Sequence, residues 1–241
     1  MKDIVAAFVG AVLSLNALGQ SIEAPAIKAG DTWTYRNTQE KGPSGWNQTH
    51  DEITVTRATS SSIYISLKQS GTTQAPRELI LGADWGRVRD LNGKETVVNK
   101  PLSFPLSTGK TWELQYTEQH PNKVHRYEQW SNKFVVVGYE TVETPAGKFN
   151  AIKIESEGKW VAELEPSQSV VQGAQSAQNG TTMVTQVQKT NADTVSGRTY
   201  KAFWYAPEAK RWVKSVEEYY GSNGVRNERY SSDLESFKVA N

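Results

Sequence analysis

Apolar side chains recur at every second position through most of the chain beyond its first twenty residues. Ile53 and Val55 alternate with polar residues, and Ile63, Ile65 and Leu67 do the same on the next segment. This period of two is typical of strands that bury one face, whereas a helix repeats at about 3.6 residues. No amphipathic pattern longer than about ten residues follows the N-terminal segment. The alternation therefore predicts an all-β protein.

The segments between these strands carry the residues that hairpin turns require. Thr144–Gly147 places Pro second and Gly last, and Asn92–Gly93 supplies two residues that tolerate positive φ. Ser222–Gly224 offers the same chemistry near the C-terminus. Hairpin connections join antiparallel neighbours. We therefore predict one antiparallel β domain over residues 20–241, folded as a single curved sheet or an incomplete barrel.

The N-terminal segment has a different composition and predicts a secretory signal peptide over residues 1–19. Lys2 gives a short basic start, an apolar run covers Ile4–Leu15, and small residues stand at Ala17 and Gly19. The apolar run is shorter than the roughly 20 residues that a membrane-spanning helix needs. We expect cleavage after Gly19, a periplasmic or secreted location, and no membrane-spanning segment after cleavage.

The charge balance and the lack of cysteine exclude several functions. The chain has 27 Lys and Arg against 26 Asp and Glu, a net charge of +1, so a general nucleic-acid binder is not expected. With no Cys, disulfides, thiolate catalysis, Cys-ligated zinc and iron–sulfur clusters are excluded, and no lipid anchor is expected. No cofactor is predicted, since the sequence has no Gly-rich phosphate loop.

No group of residues forms a recognisable catalytic motif. The G-x-S-x-G nucleophile elbow is absent, and the three histidines, His50, His120 and His125, match no metal-ligand spacing. We therefore expect no enzyme and no metal site. A secreted hydrolase stays open as an alternative if the fold brings His50 or His125 next to a serine and an acid.

Residues 166–199 contain the most polar stretch of the chain. Pro166 to Thr181 is rich in Gln, Ser, Gly and Ala, so we predict a mobile polar loop over 166–181. Met183–Gln188 is a marginal strand. A long loop of this kind is typically disordered or serves as a flap over a binding site.

The eight tryptophans and ten tyrosines are the strongest candidates for a binding role. The segment Gly30–Tyr35 (GDTWTY) is echoed by Gly109–Trp112 (GKTW), and each copy predicts a turn at the glycine followed by a strand with an inward Trp. Two interpretations stay open: these aromatics supply core volume, or they line a cleft for a hydrophobic small molecule or lipid. The candidate ligand-binding residues are Trp33, Trp112, Trp204 and Tyr205.

Three ordered motifs resemble a known group of proteins. They are FPLSTGKTW at Phe104–Trp112, VVVGYETVETPAGKFNAIKIE at Val135–Glu155 and FWYAPEAKRWVKSVEEYY at Phe203–Tyr220. Together they resemble a family of uncharacterised exported β-sheet proteins of Gram-negative bacteria, with GxTW, PAGxF and WYAP elements. The resemblance implies a hairpin at the Pro-Ala-Gly turn and a strand pair around Trp-Tyr-Ala-Pro, and it implies no catalytic residues. The architecture is similar, more distantly, to the half-barrels of periplasmic lipoprotein carriers, which hold acyl chains against a concave apolar face.

These observations predict a non-enzymatic envelope protein. We expect it to bind a hydrophobic ligand or an envelope protein partner on its curved sheet. Two alternatives stay open. One is a structural or interaction module without a small-molecule ligand, in which all the aromatics belong to the core, and the other is the hydrolase described above.

Overall fold

The computed structural model describes residues 21–165, 167–176, 182–191 and 193–240, with side chains described outside 166–192. The predicted signal peptide at 1–19 lies outside the described residues. No helix in the described part of the chain is long and apolar enough to cross a membrane. The strands are β1 Thr32–Lys41, β2 Trp46–Ala58, β3 Ser62–Gln69, β4 Arg77–Gly82, β5 Arg87–Leu91, β6 Lys94–Asn99, β7 Thr111–Gln119, β8 His125–Thr144, β9 Gly147–Leu164, β10 Ser167–Ser176, β11 Thr182–Asn191, β12 Thr194–Ala206, β13 Arg211–Gly221 and β14 Arg226–Lys238, with short 3-10 turns at Gly42–Ser44 and Pro207–Ala209.

Twelve of these strands form one antiparallel sheet that is nearly closed into a barrel. The strand order is β6-β5-β4-β3-β2-β1-β14-β13-β12-β9-β8-β7, so most neighbours in the sheet are also neighbours in the chain. The first strand, β1, lies between β2 and the last strand, β14. The prediction of an all-β protein with a single curved antiparallel sheet or incomplete barrel is confirmed.

The barrel has a seam between its two edge strands, β6 and β7, which share no strand pairing within the described residues. Side chains bridge the seam instead. Arg89 on β5 forms an ion pair with Glu118 on β7, and the Trp112 indole Nε1 donates a hydrogen bond to the Lys100 carbonyl oxygen at 3.0 Å. Charged side chains at sheet edges also disfavour pairing with a second chain.

The predicted hairpin turns lie where the sequence places them. Asn92 and Gly93 both have positive φ, 58° and 80°, between β5 and β6, as a type I′ turn requires. Thr144 pairs with Gly147 across the β8–β9 hairpin, and Gly224 has a φ of 75° between β13 and β14. Local turn chemistry therefore sets these strand connections.

One end of the barrel interior is filled by apolar side chains. Trp33 is fully buried, its ring meets Trp85 edge-on at 5.3 Å between centroids, and its indole Nε1 donates to the Ala209 carbonyl oxygen at 2.7 Å. Residues directly opposite each other in a strand pair share a face, so Phe203 and Ile154 lie side by side inside the barrel. We call this end the apolar half, and it includes Trp33, Ile53, Phe134, Ile154 and Phe203.

The sequence predicts a loop over residues 166–181, but part of this segment forms a strand in the structure. The backbone of Ser167–Ser176 forms β10, which pairs with β11 in a separate two-stranded antiparallel sheet. β11 contains the predicted marginal strand at Met183–Gln188. Strand pairing here rests on backbone hydrogen bonds, which need no apolar side chains, and this is why composition does not reveal it. Residues 177–181 lie outside the described residues, and the mobility of this segment stays a prediction.

We expect Trp33→Ala to destabilise the fold by about 3–5 kcal/mol, because it removes a fully buried ring and its hydrogen bond. Urea denaturation followed by circular dichroism measures the free energy of unfolding. Trp46→Ala is the matched control, since Trp46 is 68% exposed and the same substitution there removes little buried area. Equal losses in the two variants would contradict the core role of Trp33.

Candidate ligand-binding site

The side chains that face the interior change from apolar to polar along the strands of the barrel. On β8, Asn132 and Trp130 lie in phase with buried Phe134 and face the same side of the sheet. Their partners on β9, Gly158 and Trp160, therefore face the interior too. We call this end the polar half, and its inward positions include Asn37, Gln39, Asp51, Tyr116, Glu128, Trp130, Asn132, Trp160, Thr199, Lys201, Glu217, Tyr219, Tyr230 and Ser232.

Aromatic rings line one side of the polar half. Trp130 stacks with Tyr116 and with Trp160, each at 6.1 Å between centroids, and Tyr219 meets Trp130 edge-on at 6.4 Å. Tyr219 also meets Tyr230 edge-on at 5.9 Å. We call these five residues the aromatic wall. They are only partly buried, in contrast to the sealed rings of the apolar half.

Gly197 makes room for the aromatic wall. It lies opposite Trp160 on β9, and a Cβ at this position would come within 2.6 Å of the indole Nε1 of Trp160 and 2.0 Å of the Tyr220 carbonyl oxygen. Any larger residue would therefore push the indole away from the β12 backbone. The glycine is required here for close approach.

Charged side chains contact the residues of the aromatic wall. Glu128 accepts one hydrogen bond from the Trp130 indole Nε1 at 3.0 Å. It also contacts His125 Nδ1 at 2.6 Å. Glu217 pairs with Lys201 at 2.9 Å and accepts a hydrogen bond from the Tyr219 hydroxyl at 3.1 Å. Burial and the neighbouring Glu217 carboxylate raise the pKa of Tyr219, so its hydroxyl stays protonated and keeps donating.

Three interior cavities adjoin at Asp51, two in the polar half and the smallest at its boundary with the apolar half. Their volumes are about 280, 230 and 150 Å³, and Asp51 lines all three. Tyr230 lines the second, which places that cavity beside the aromatic wall. Burial raises the pKa of Asp51, although a hydrogen bond from Asn37 at 2.9 Å and the charges of Arg77 and His50 oppose that rise.

A larger concavity of about 370 Å³ lies on the outer face of β7, β8 and β9. It is lined by outward side chains such as Gln115, Gln129 and Lys159, and also by Tyr116 and Trp130 of the aromatic wall, whose rings alternation along β7 and β8 turns to the inner face. No buried charge converges there, and we take the interior cavities as the candidate site.

The four residues predicted from the sequence to bind a ligand lie in different places. Trp33 and Tyr205 are at most 1% exposed and belong to the packed core. Trp112 stacks on Phe134 at 5.2 Å and bridges the seam, and Trp204 lies on the outer face, where its Nε1 donates to Glu140 at 3.2 Å. None of the four lines a described cavity; they belong to the hydrophobic core cluster or pack against it, and a ligand-binding role for them stays a prediction.

Part of the aromatic wall can be predicted from the alternation of residues along a strand, although composition alone does not reveal it. Trp130 and Phe134 lie four residues apart on one strand, so alternation puts both on the inner face. The partners of Trp130, which are Tyr116 and Trp160, depend on strand register and could not be read from the sequence.

The three histidines contact different carboxylates, Glu235, Glu165 and Glu128. His50 Nδ1 contacts Glu235 at 2.8 Å on the outer face, and His125 contacts Glu128 at the rim of the polar half. Within the described residues, neither His50 nor His125 is hydrogen-bonded to a serine, and no group of three or more His, Asp and Glu residues is arranged to hold a metal ion. The Ser–His–acid arrangement at His50 or His125 is therefore not formed in the described part of the chain.

Two solved structures are similar to this chain. One is a candidate exported protein with a YmcC-like fold from Bacteroides fragilis, at 16% identity and a TM-score of 0.44, and the other is a candidate lipoprotein from Parabacteroides distasonis, at 14% identity and a TM-score of 0.47. Each alignment covers 91% of this chain and 100% of the other. No family model and no curated protein matches the chain.

Gly197→Ala is expected to displace Trp160 and to destabilise the protein by about 1–3 kcal/mol, because the added methyl group overlaps backbone and ring atoms. Near-UV circular dichroism reports the ring displacement, and urea denaturation reports the stability. Gly221→Ala is the control, since its Cβ would approach only the side-chain ends of Asn223 and Asn227, at 3.2 and 3.3 Å. An unchanged near-UV spectrum for Gly197→Ala would contradict the close packing of Trp160.

Glu217→Gln is expected to weaken the acid dependence of stability. Burial alone would raise the pKa of Glu217, but the charge of Lys201 and hydrogen bonds from Lys201 and Tyr219 outweigh it and hold the pKa below its usual 4.5. A lowered folded-state pKa contributes stability above pH 4.5, and this stability is lost as the pH falls through the folded-state pKa. The Gln variant lacks that contribution.

Urea denaturation at a series of pH values from neutral to below 4.5 tests this. The wild type should lose more free energy of unfolding on acidification than Glu217→Gln, whereas Glu143→Gln, at an exposed position of β8, should follow the wild type. Parallel curves for wild type and Glu217→Gln would show that the Lys201 pair contributes nothing to the pH dependence.

Proposed function

We propose that the protein is an exported, non-enzymatic binding protein that holds a small organic ligand with an apolar body in the polar half of its barrel. The observation that carries this proposal is the aromatic wall, whose five rings lie inside the barrel and yet stay partly exposed. Export is supported by the predicted signal peptide at 1–19. The absence of a recognisable catalytic motif in the sequence supports a binding role.

The exposure of the aromatic wall favours a binding surface over simple core volume. Rings in the apolar half, such as Trp33 and Phe203, are at most 2% exposed, whereas Tyr230 is 37% exposed. Aromatic rings that only filled space would be most stable when fully removed from water. A partly exposed ring cluster in a concave site is typical of a surface that completes its burial when a ligand enters.

The three interior cavities reach the size of a typical pocket in combination. Each is smaller than the roughly 300–1,000 Å³ of typical small-molecule pockets, but they adjoin at Asp51. A ligand that extended through more than one of them would therefore have a typical volume. Their walls combine ring faces with a few polar groups, such as Asn37 and Ser232, which could orient the ligand.

We expect Trp130→Ala to weaken binding of a dansyl-labelled undecanoate at least about tenfold, a loss of roughly 1.4 kcal/mol. Trp130 is the ring that contacts Tyr116, Trp160 and Tyr219, so its removal breaks the aromatic wall at its centre. Fluorescence titration of the mature protein measures the dissociation constant. Trp46→Ala removes an exposed Trp outside the wall and should leave it unchanged.

Three results of this experiment would count against the proposal. They are a wild type that does not bind the probe, a folded Trp130→Ala variant with unchanged affinity, and an equal loss in Trp46→Ala. The first result, together with no small molecule or lipid detected by mass spectrometry of natively extracted protein, would favour the structural or interaction module. Turnover of ester substrates by the wild type would revive the hydrolase.

A further inference from the structure

Arg211 lies at the boundary between the apolar half and the polar half. It is the first residue of β13 and is only 7% exposed. Its side chain lines the smallest of the three interior cavities, of about 150 Å³, together with Tyr35, Phe203 and Trp212. A buried arginine is costly for a protein unless its charge is compensated.

Four aromatic rings surround the guanidinium group. Its Cζ atom lies 4.4 Å from the ring centroids of Trp85 and Trp212, 5.2 Å from that of Tyr35 and 5.8 Å from that of Trp33. Ring faces attract a cation, but they accept no strong hydrogen bonds. The rings therefore shield the charge of Arg211 from water without satisfying its N–H donors.

The rings are themselves fixed to the backbone beside Arg211. Trp33 Nε1 donates to the Ala209 carbonyl oxygen at 2.7 Å, and the Tyr35 hydroxyl donates to the Trp212 carbonyl oxygen at 2.6 Å. Trp85 Nε1 donates to the Lys210 carbonyl oxygen at 3.3 Å. These bonds hold the aromatic surroundings of the guanidinium in one geometry, as a preorganised site requires.

The guanidinium has unused hydrogen-bond donors. Nε and Nη1 of Arg211 are buried without a partner in the described part of the chain, and so is Oδ1 of Asn99, which lines the same cavity. Burial lowers the pKa of Arg211, although the nearby Tyr35 opposes this, and arginine keeps its proton even so. The site therefore presents a positive charge whose donors await an acceptor.

The acids that line the cavity bind other groups. Glu217 pairs with Lys201 at 2.9 Å and accepts from Tyr219, while Asp51 accepts from Asn37 at 2.9 Å. Among the described residues, no carboxylate lies within 4.0 Å of the Arg211 guanidinium nitrogens. An acceptor for Arg211 must therefore come from outside this part of the chain.

We infer that Arg211 binds the carboxylate group of a monocarboxylic ligand whose apolar body extends from the cavity along the interior of the barrel. This inference rests on the proposed function. A carboxylate is the matched partner of a guanidinium and forms strong charge-assisted hydrogen bonds with it. A single negative charge suits the cavity better than a doubly charged phosphate, because Asp51 and Glu217 line it too. The Asn99 amide can rotate to donate its Nδ2 to the same carboxylate.

The test compares an acid with its neutral ester. Dansyl-labelled undecanoate and its methyl ester are titrated into the wild type, Arg211→Met and Arg211→Lys. We expect the wild type to bind the acid at least about tenfold more tightly than the ester. In Arg211→Met this preference should disappear, and Arg211→Lys should keep only part of it, because an ammonium group lacks the planar guanidinium geometry.

Arg211→Met should fold, since replacing a buried unpaired charge by an apolar side chain is often neutral or stabilising. Near-UV circular dichroism checks this, and Arg211→Lys serves if Met is not accommodated. Equal affinities of the wild type for acid and ester, or a preference retained in folded Arg211→Met, would overturn the role of Arg211 while leaving the binding function intact. Failure of the wild type to bind either probe would overturn both.

Discussion

The backbone pairing between β1 and β14 joins two series of hairpins into one sheet. Strands β1 to β6 form one series and β7 to β14 the other, apart from the separate β10–β11 pair. Within the described residues, the ladder that runs from Thr32 opposite Lys238 to Lys41 opposite Glu228 is the strand pairing that connects them. Buried Asp31, just before β1, supports this junction. It contacts Lys210 Nζ at 3.3 Å and accepts from the Ala240 amide at 2.8 Å. The barrel interior exists because this ladder forms.

A sheet of twelve strands encloses more space than its own side chains readily fill. Barrels of about eight strands are just wide enough to be packed solid, and wider ones leave room inside. This chain fills one end with large rings and leaves the other end lined by half-buried aromatics and charged pairs. Gly197 shows how closely the rings are placed there, since Trp160 occupies the space of the missing side chain. The width of the barrel leaves room for the cavities, and the side chains at each end set which end is filled.

Arg211 lies where the two kinds of interior meet. The rings beside it are held by hydrogen bonds to backbone carbonyl groups between Ala209 and Trp212, so the turn between β12 and β13 organises both the core and the charge. In a protein interior an unpartnered cation costs stability. The presence of such a cation beside a cavity is the feature that most distinguishes this barrel from one that only needs to be stable.

The fold class follows from the sequence alone, because alternation and turn residues act locally. The period of two along Ile53–Val55 and the positive-φ residues Asn92–Gly93 predicted strands and hairpins that the structure contains. The register that puts Trp130 between Tyr116 and Trp160, and the packing that surrounds Arg211 with Trp33 and Trp85, join positions far apart in the chain. Such contacts depend on how a curved sheet closes on itself, which no local pattern records. For this reason the sequence favours the conspicuous aromatics as binding residues. Which rings lie in the core, and which charge lies unpaired inside the barrel, depends on tertiary packing.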